Sequence, residues 1–154
     1  MRELGKLRAL TGAERRLLVV SLAAVPIVAG GLALFGFGRM RTAMARWPRV
    51  RGSRFKTAQA ESARAVSAAR VVAIAAGRGP VRTTCLRRSL LLWWLLRHDG
   101  IETVIRVGVN RDGGSLHAHA WVEHRGNPLN DAVDVALRFP AFAQDFGTQP
   151  ASAS

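Results

Sequence analysis

Two stretches decide how this sequence folds: residues 83–109, TTCLRRSLLLWWLLRHDGIETVIRVGV, and residues 116–131, LHAHAWVEHRGNPLND. The first predicts a helix and then a strand. Thr83 and Thr84 both suit an N-cap, Cys85 falls in the first turn, and Gly100 suits the position just past the helix end. Leu86, Leu90, Leu91, Leu92, Trp93, Trp94, Leu95 and Leu96 make this helix apolar nearly all round, which marks a central buried element. At about 12–15 residues it is too short to cross a bilayer. The β-branched density of Thr103–Val109 predicts a strand, and Asn110–Ser115, with two glycines, a turn.

The second stretch alternates. His117, His119, Trp121 and Glu123 share one strand face, and Leu116, Ala118, Ala120 and Val122 the other. Arg125-Gly126-Asn127 reads as a second turn, and Pro128–Val135 as a third strand carrying Asp131. Upstream, Thr57–Ala76 predicts a helix with Val66, Ala69, Val72, Ala73 and Ala76 at helical spacing, ended by Gly77-Arg78-Gly79-Pro80. The pattern is α+β: a helix bearing Cys85 packed on a small antiparallel sheet, with a helical segment in front.

The 154 residues suffice for one domain with a modest core, and a hydrophobic content of 49% excludes a disordered chain. One cysteine excludes a disulfide framework and a Cys-rich zinc site. The chain carries 23 basic and 10 acidic residues, and 12 of the basic ones lie in residues 1–56 against 2 acidic ones. The expected organisation is a basic, apolar helical segment over 1–56, a core over 57–146 and a disordered tail over 147–154.

Leu17–Phe37 holds 21 residues without a charge, long enough to span a bilayer. Arginines flank both ends, so no asymmetry sets an orientation, and no small-x-small cleavage site follows. Thr11-Gly12-Ala13-Glu14 fits a capping box, and Pro26 is expected to kink or divide the helix. Two readings stand for this run: a helix or helical hairpin packed on the core, or membrane contact. The Arg-rich stretch from Arg39 to Lys56 suits a solvated face, anionic lipid or an acidic protein. No recognition motif accompanies the charge, which argues against nucleic acid.

A cysteine at a helix N-terminus is chemically placed. Free amide N–H groups and the macrodipole favour a thiolate there, and Arg82, Arg87 and Arg88 add positive potential. His119 is a proton partner, and Asp131 an acceptor able to fix its tautomer. Two rival chemistries are a metal site at His117 and His119 and a non-enzymatic adaptor built on the basic N-terminus.

The same residues resemble the peptidase domain of lasso peptide biosynthesis B proteins, within the transglutaminase-like thiol protease superfamily. The shared features are Cys-Leu-x-Arg-Ser-Leu on a helix, a glycine ending it, a Gly-Val strand, Ala-His-Ala-Trp-Val-Glu, and a glycine turn before Asp. They cover about half the chain, residues 57–135. The resemblance implies a transglutaminase-like, papain-like fold with Cys85 as nucleophile, His119 as general base and Asp131 as orienting acid. His117 is an alternative base, and Glu123 and Asp134 are alternative acids. It implies leader removal from a ribosomally made precursor, without metal or organic cofactor, in the cytoplasm. The implied partners are the precursor peptide, a separate leader-recognition protein and an ATP-dependent cyclase. Another transglutaminase-like acyl transferase or amidase would use the same three residues.

Overall fold

The computed structural model describes residues 10–47, 54–78, 83–112 and 114–141. Residues 147–154, Arg82, and the Pro48, Gly52 and Ser53 of the basic stretch lie outside them. In chain order come α1 (Gly12–Arg46), α2 (Ala58–Arg78), α3 (Cys85–His98), β1 (Val104–Asp112), β2 (Ser115–His124), β3 (Asn127–Pro128) and α4 (Val135–Arg138). The sheet is antiparallel in the order β1-β2-β3. This is the α+β architecture that the patterning predicts.

Helix α3 is its centre. Thr84 caps it, its hydroxyl accepting the Arg87 amide, and Gly100 closes it with φ +77°. Thr83 instead donates to the Ala76 carbonyl at 3.2 Å, tying the end of α2 to the start of α3. Leu90, Leu91, Leu92, Trp93, Leu95 and Leu96 are all buried, and join Val71, Val72, Ile101, Ile105 and Val122 in one core. Burying side chains of this size stabilises by about 1.5–3 kcal/mol each.

Helix α2 presents a small-residue face, with Ala65, Ala68, Ala69, Val72 and Ala75 buried. Val66 is exposed, and so is Ala73, contrary to the expected face. Polar anchors fix the rotation instead. Arg64 pairs with Asp99 at 2.8 Å, while Ser67 and Arg70, three residues apart, both reach Glu14 of α1.

Glu14 closes the predicted capping box with Thr11 and then accepts from α2. Its carboxyl is pulled from 4.5 down to about 2 by hydrogen bonds from Ser67, the Thr11 amide and Arg70, against an opposing effect of burial. Beyond it, Leu17, Ser21, Val25 and Val28 form a buried stripe at helical spacing. Pro26 does not divide the helix; the break falls at Gly36 (φ +73°, ψ 172°), a conformation open essentially to glycine alone. The stripe packs on both sides of Pro26, and the backbone stays helical through it despite the missing hydrogen bond. Past Gly36 the chain changes direction, bringing the Met40 thioether to where a side chain at Gly31 would lie. Arg97 then ties the second arm to α3 by donating to the Ala45 carbonyl at 3.0 Å.

The β1–β2 hairpin is longer than expected. Pairing runs to Asp112 opposite Ser115, well into the segment expected to be turn. The expected third strand is the larger correction: only Asn127 and Pro128 pair. Leu129–Asp134 is loop, and Val135–Arg138 is a short helix.

A carboxylate held low stabilises the fold above its unfolded value, and loses that effect as pH falls toward its folded one. Glu14→Gln should therefore flatten the fall in unfolding free energy between about pH 5 and pH 2. Urea titrations of both proteins across that range check this; equal slopes would contradict it.

Candidate active site

The site begins where β3 stops. Alternate residues of a strand turn their N–H and C=O to the same edge. Val122 uses the β3 edge of β2, accepting the Leu129 amide at 2.9 Å. Its own N–H is taken by the Asn130 side-chain carbonyl at 2.8 Å. A side chain thus fills the place of the next strand residue, and the ladder ends there. Two residues back on the same edge, Ala120 offers its carbonyl to the Ser89 hydroxyl of α3 at 2.9 Å. The Asn130 amide nitrogen donates to that same hydroxyl at 2.9 Å, and Arg88 donates to the Asn130 carbonyl at 3.3 Å. Helix α3 therefore takes over the edge that a longer third strand would have occupied. Ser89 is fully buried and its bond to Ala120 lies out of water, while the bonds made by Asn130 and Arg88 are partly buried.

Each residue of the node neighbours a chemically able side chain. Cys85 is one turn before Ser89 on the same helix face. His119 precedes Ala120, and Asp131 follows Asn130. The Asp99–Thr103 link carries the end of α3 to Val104, which pairs with Glu123 near the end of β2. The N-terminal end of α3 accordingly lies toward the His119 side of Ala120. Cys85 is a free, half-buried thiol at the first position of α3.

His119 and Asp131 are in direct contact, Nε2 to Oδ2 at 2.5 Å, with both side chains mostly buried. That contact uses Nε2 and leaves Nδ1 as the nitrogen available to a thiol. Burial pushes the Asp131 carboxyl up. The His119 hydrogen bond, the Ala132 amide and the charges of His119 and Arg88 outweigh it and hold the carboxyl below its ordinary value. The His119 ring is stacked with Trp121 at 6.3 Å and tilted against Phe139 at 4.9 Å.

Phe139 has no sequence signal as a site residue, because it reaches the histidine from beyond α4. Gly108 admits it: this residue pairs with His119, and a Cβ there would collide with the Phe139 and Pro140 backbone. Ser89 and Asn130 are likewise invisible as a pair in sequence, although Ser89 belongs to the Cys-Leu-x-Arg-Ser run.

The rivals stand apart. Glu123 accepts from Trp121 Nε1 at 2.8 Å and from Arg106 at 3.0 Å. Asp134 is exposed ahead of α4, and His117 is exposed opposite Asn110. Among the described residues no three His, Cys, Asp or Glu side chains are grouped to hold a metal ion, so a site at His117 and His119 gains no third ligand.

Comparison with known proteins gives one family. Residues 31–143 match the family model described as the transglutaminase-like superfamily. No curated protein and no solved structure matches the chain.

Ser89→Ala leaves the Ala120 carbonyl and the Asn130 amide without their shared partner, at an expected cost of about 1–3 kcal/mol. Asn130→Ala strips the same node, so the double variant should cost less than the sum of the singles. Denaturant unfolding of the three variants measures both quantities, and strict additivity would show that the two side chains do not act together.

Proposed function

The chain belongs to the transglutaminase-like superfamily, and from that footing we propose that it is a cysteine peptidase. In this reading it removes the leader from a ribosomally made lasso peptide precursor in the cytoplasm. The carrying observation is the His119–Asp131 contact on the strand edge to which the Cys85 helix is fastened through Ser89. The likeness of residues 57–135 to lasso peptide biosynthesis B proteins supports the choice of substrate.

The chemistry balances with these groups alone. The Cys85 thiolate attacks the carbonyl carbon joining leader to core, and a C–S bond forms. As the C–N bond breaks, His119 gives a proton from Nδ1 to the departing core amine. The leader remains as a thioester on Cys85. Water then loses a proton to His119 Nδ1 and attacks the thioester; the C–S bond breaks and the leader leaves as a carboxylate. Asp131 holds the ring through Nε2 and stabilises the imidazolium in both steps. The Cys85 backbone amide, in the first helical turn, serves as one donor to the oxyanion.

A separate recognition protein would deliver the leader, and an ATP-dependent cyclase would consume the freed amine. The test follows precursor cleavage by mass spectrometry with these partners present. Cys85→Ala should abolish cleavage, Asp131→Asn should slow it by about a hundredfold or more, and His117→Ala should retain most of it. Cleavage that survives Cys85→Ala would remove the thiol mechanism. A wild-type protein that spares the precursor while transferring or hydrolysing another acyl group would move the function elsewhere in the superfamily.

A further inference from the structure

Helix α1 is apolar on two opposite faces, and only one of them is used. Before Gly36, Leu17, Ser21, Val25 and Val28 face the core. Half a turn round the axis lie Arg16, Val19, Val20, Ala23, Ile27, Gly30 and Leu34, all exposed. This second stripe has the same spacing of three and four as the first. Val19 is 66% exposed, Ile27 67%, Leu34 78% and the neighbouring Phe35 58%. No polar side chain interrupts it between Arg16 and the break. Contiguous exposed apolar surface of this kind marks a contact surface rather than chance.

We propose that this stripe is a membrane-contact surface, seating the protein on a bilayer rich in anionic headgroups with α1 lying along the interface. Charge complementarity selects lipid. Arg15 and Arg16 precede the stripe, Arg39 follows the break, and Arg46 ends the second arm; all four are exposed. Trp47, 61% exposed at the end of that arm, is a residue type that settles at headgroup level. A protein interface carries roughly one hydrogen bond per 100–200 Å², and from Val19 to Leu34 this stripe offers no side chain to make one; hydrocarbon needs none. Spanning does not fit. By length and composition α1 is a helix able to cross a membrane, but its other stripe packs into the core, and the helix breaks at Gly36. The geometry is that of an interfacial helix. It is independent of the chemistry at Cys85.

Flotation of the full chain with vesicles tests this. One set holds equal parts phosphatidylcholine and phosphatidylglycerol, the other phosphatidylcholine alone. The wild type should float with the anionic set, float less in high salt, and be released by alkaline carbonate. The triple variant Val19→Gln, Ile27→Gln, Leu34→Gln changes only exposed positions and should melt like the wild type. It should lose at least about tenfold in partitioning, and Arg16→Gln with Arg39→Gln should reduce the salt dependence. Failure to float, or floating that the triple variant leaves intact, would overturn the proposal. Retention after carbonate would replace it with a spanning helix. Vesicle-free self-association that disappears in the triple variant would assign the stripe to a second copy of the chain.

Discussion

The Ser89 hydroxyl, donating to the Ala120 carbonyl while accepting from the Asn130 amide, is the contact on which the site depends. It joins three segments distant in sequence: the cysteine helix, the histidine strand and the aspartate loop. Such a node is costly if incomplete, because a buried polar group without a partner loses its solvation with no return. Complete, it fixes relative positions that apolar packing alone would leave free to slide. Leucines can repack with small shifts, whereas a hydroxyl shared between a carbonyl and an amide has one geometry. Asn130 extends the constraint by ending the sheet at Val122, so that Asp131 leaves the strand where His119 can meet it.

Around this node the scaffold is layered. Alanines on α2 let α1 and α3 approach closely, and ion pairs at Glu14 and Asp99 fix how the helices are turned. Phe139 packs against the His119 ring, and its approach requires a strand residue without a side chain at Gly108. Superfamily membership accounts for the fold; the chemistry and the choice of substrate rest on the proposal made above.

Local physics was legible in the sequence. The Thr11–Glu14 box, the Thr84 cap and Gly100 are decided within a few residues, and all three form where the pattern puts them. The buried apolar helix and the hairpin were equally readable. What failed depended on distant partners. Pro128–Val135 reads as a strand, yet Val133 is exposed and α3 occupies the edge that the strand needed. Val66 looks like a core residue until Ser67 and Arg70 turn toward Glu14. Pro26 looks like the weak point of α1, but packing on either side outweighs it and the break moves to Gly36. Asp131 is legible through the resemblance and through its place on an expected third strand, and it meets His119 from a loop instead. Ser89 and Asn130 lie 41 positions apart, beyond the reach of any local pattern.

The central claim is that Cys85 is held in working relation to the His119–Asp131 pair through Ser89 and Asn130. Because the chain has a single cysteine, the rate of iodoacetamide alkylation at neutral pH reads that relation directly, without a substrate. The account predicts a fast reaction in the wild type, slowed by about tenfold or more in His119→Ala. Asn130→Ala should show a clear reduction while the protein remains folded. Equal alkylation rates in all three folded proteins would contradict it, since the thiol would then be indifferent to the histidine and to the node that positions it.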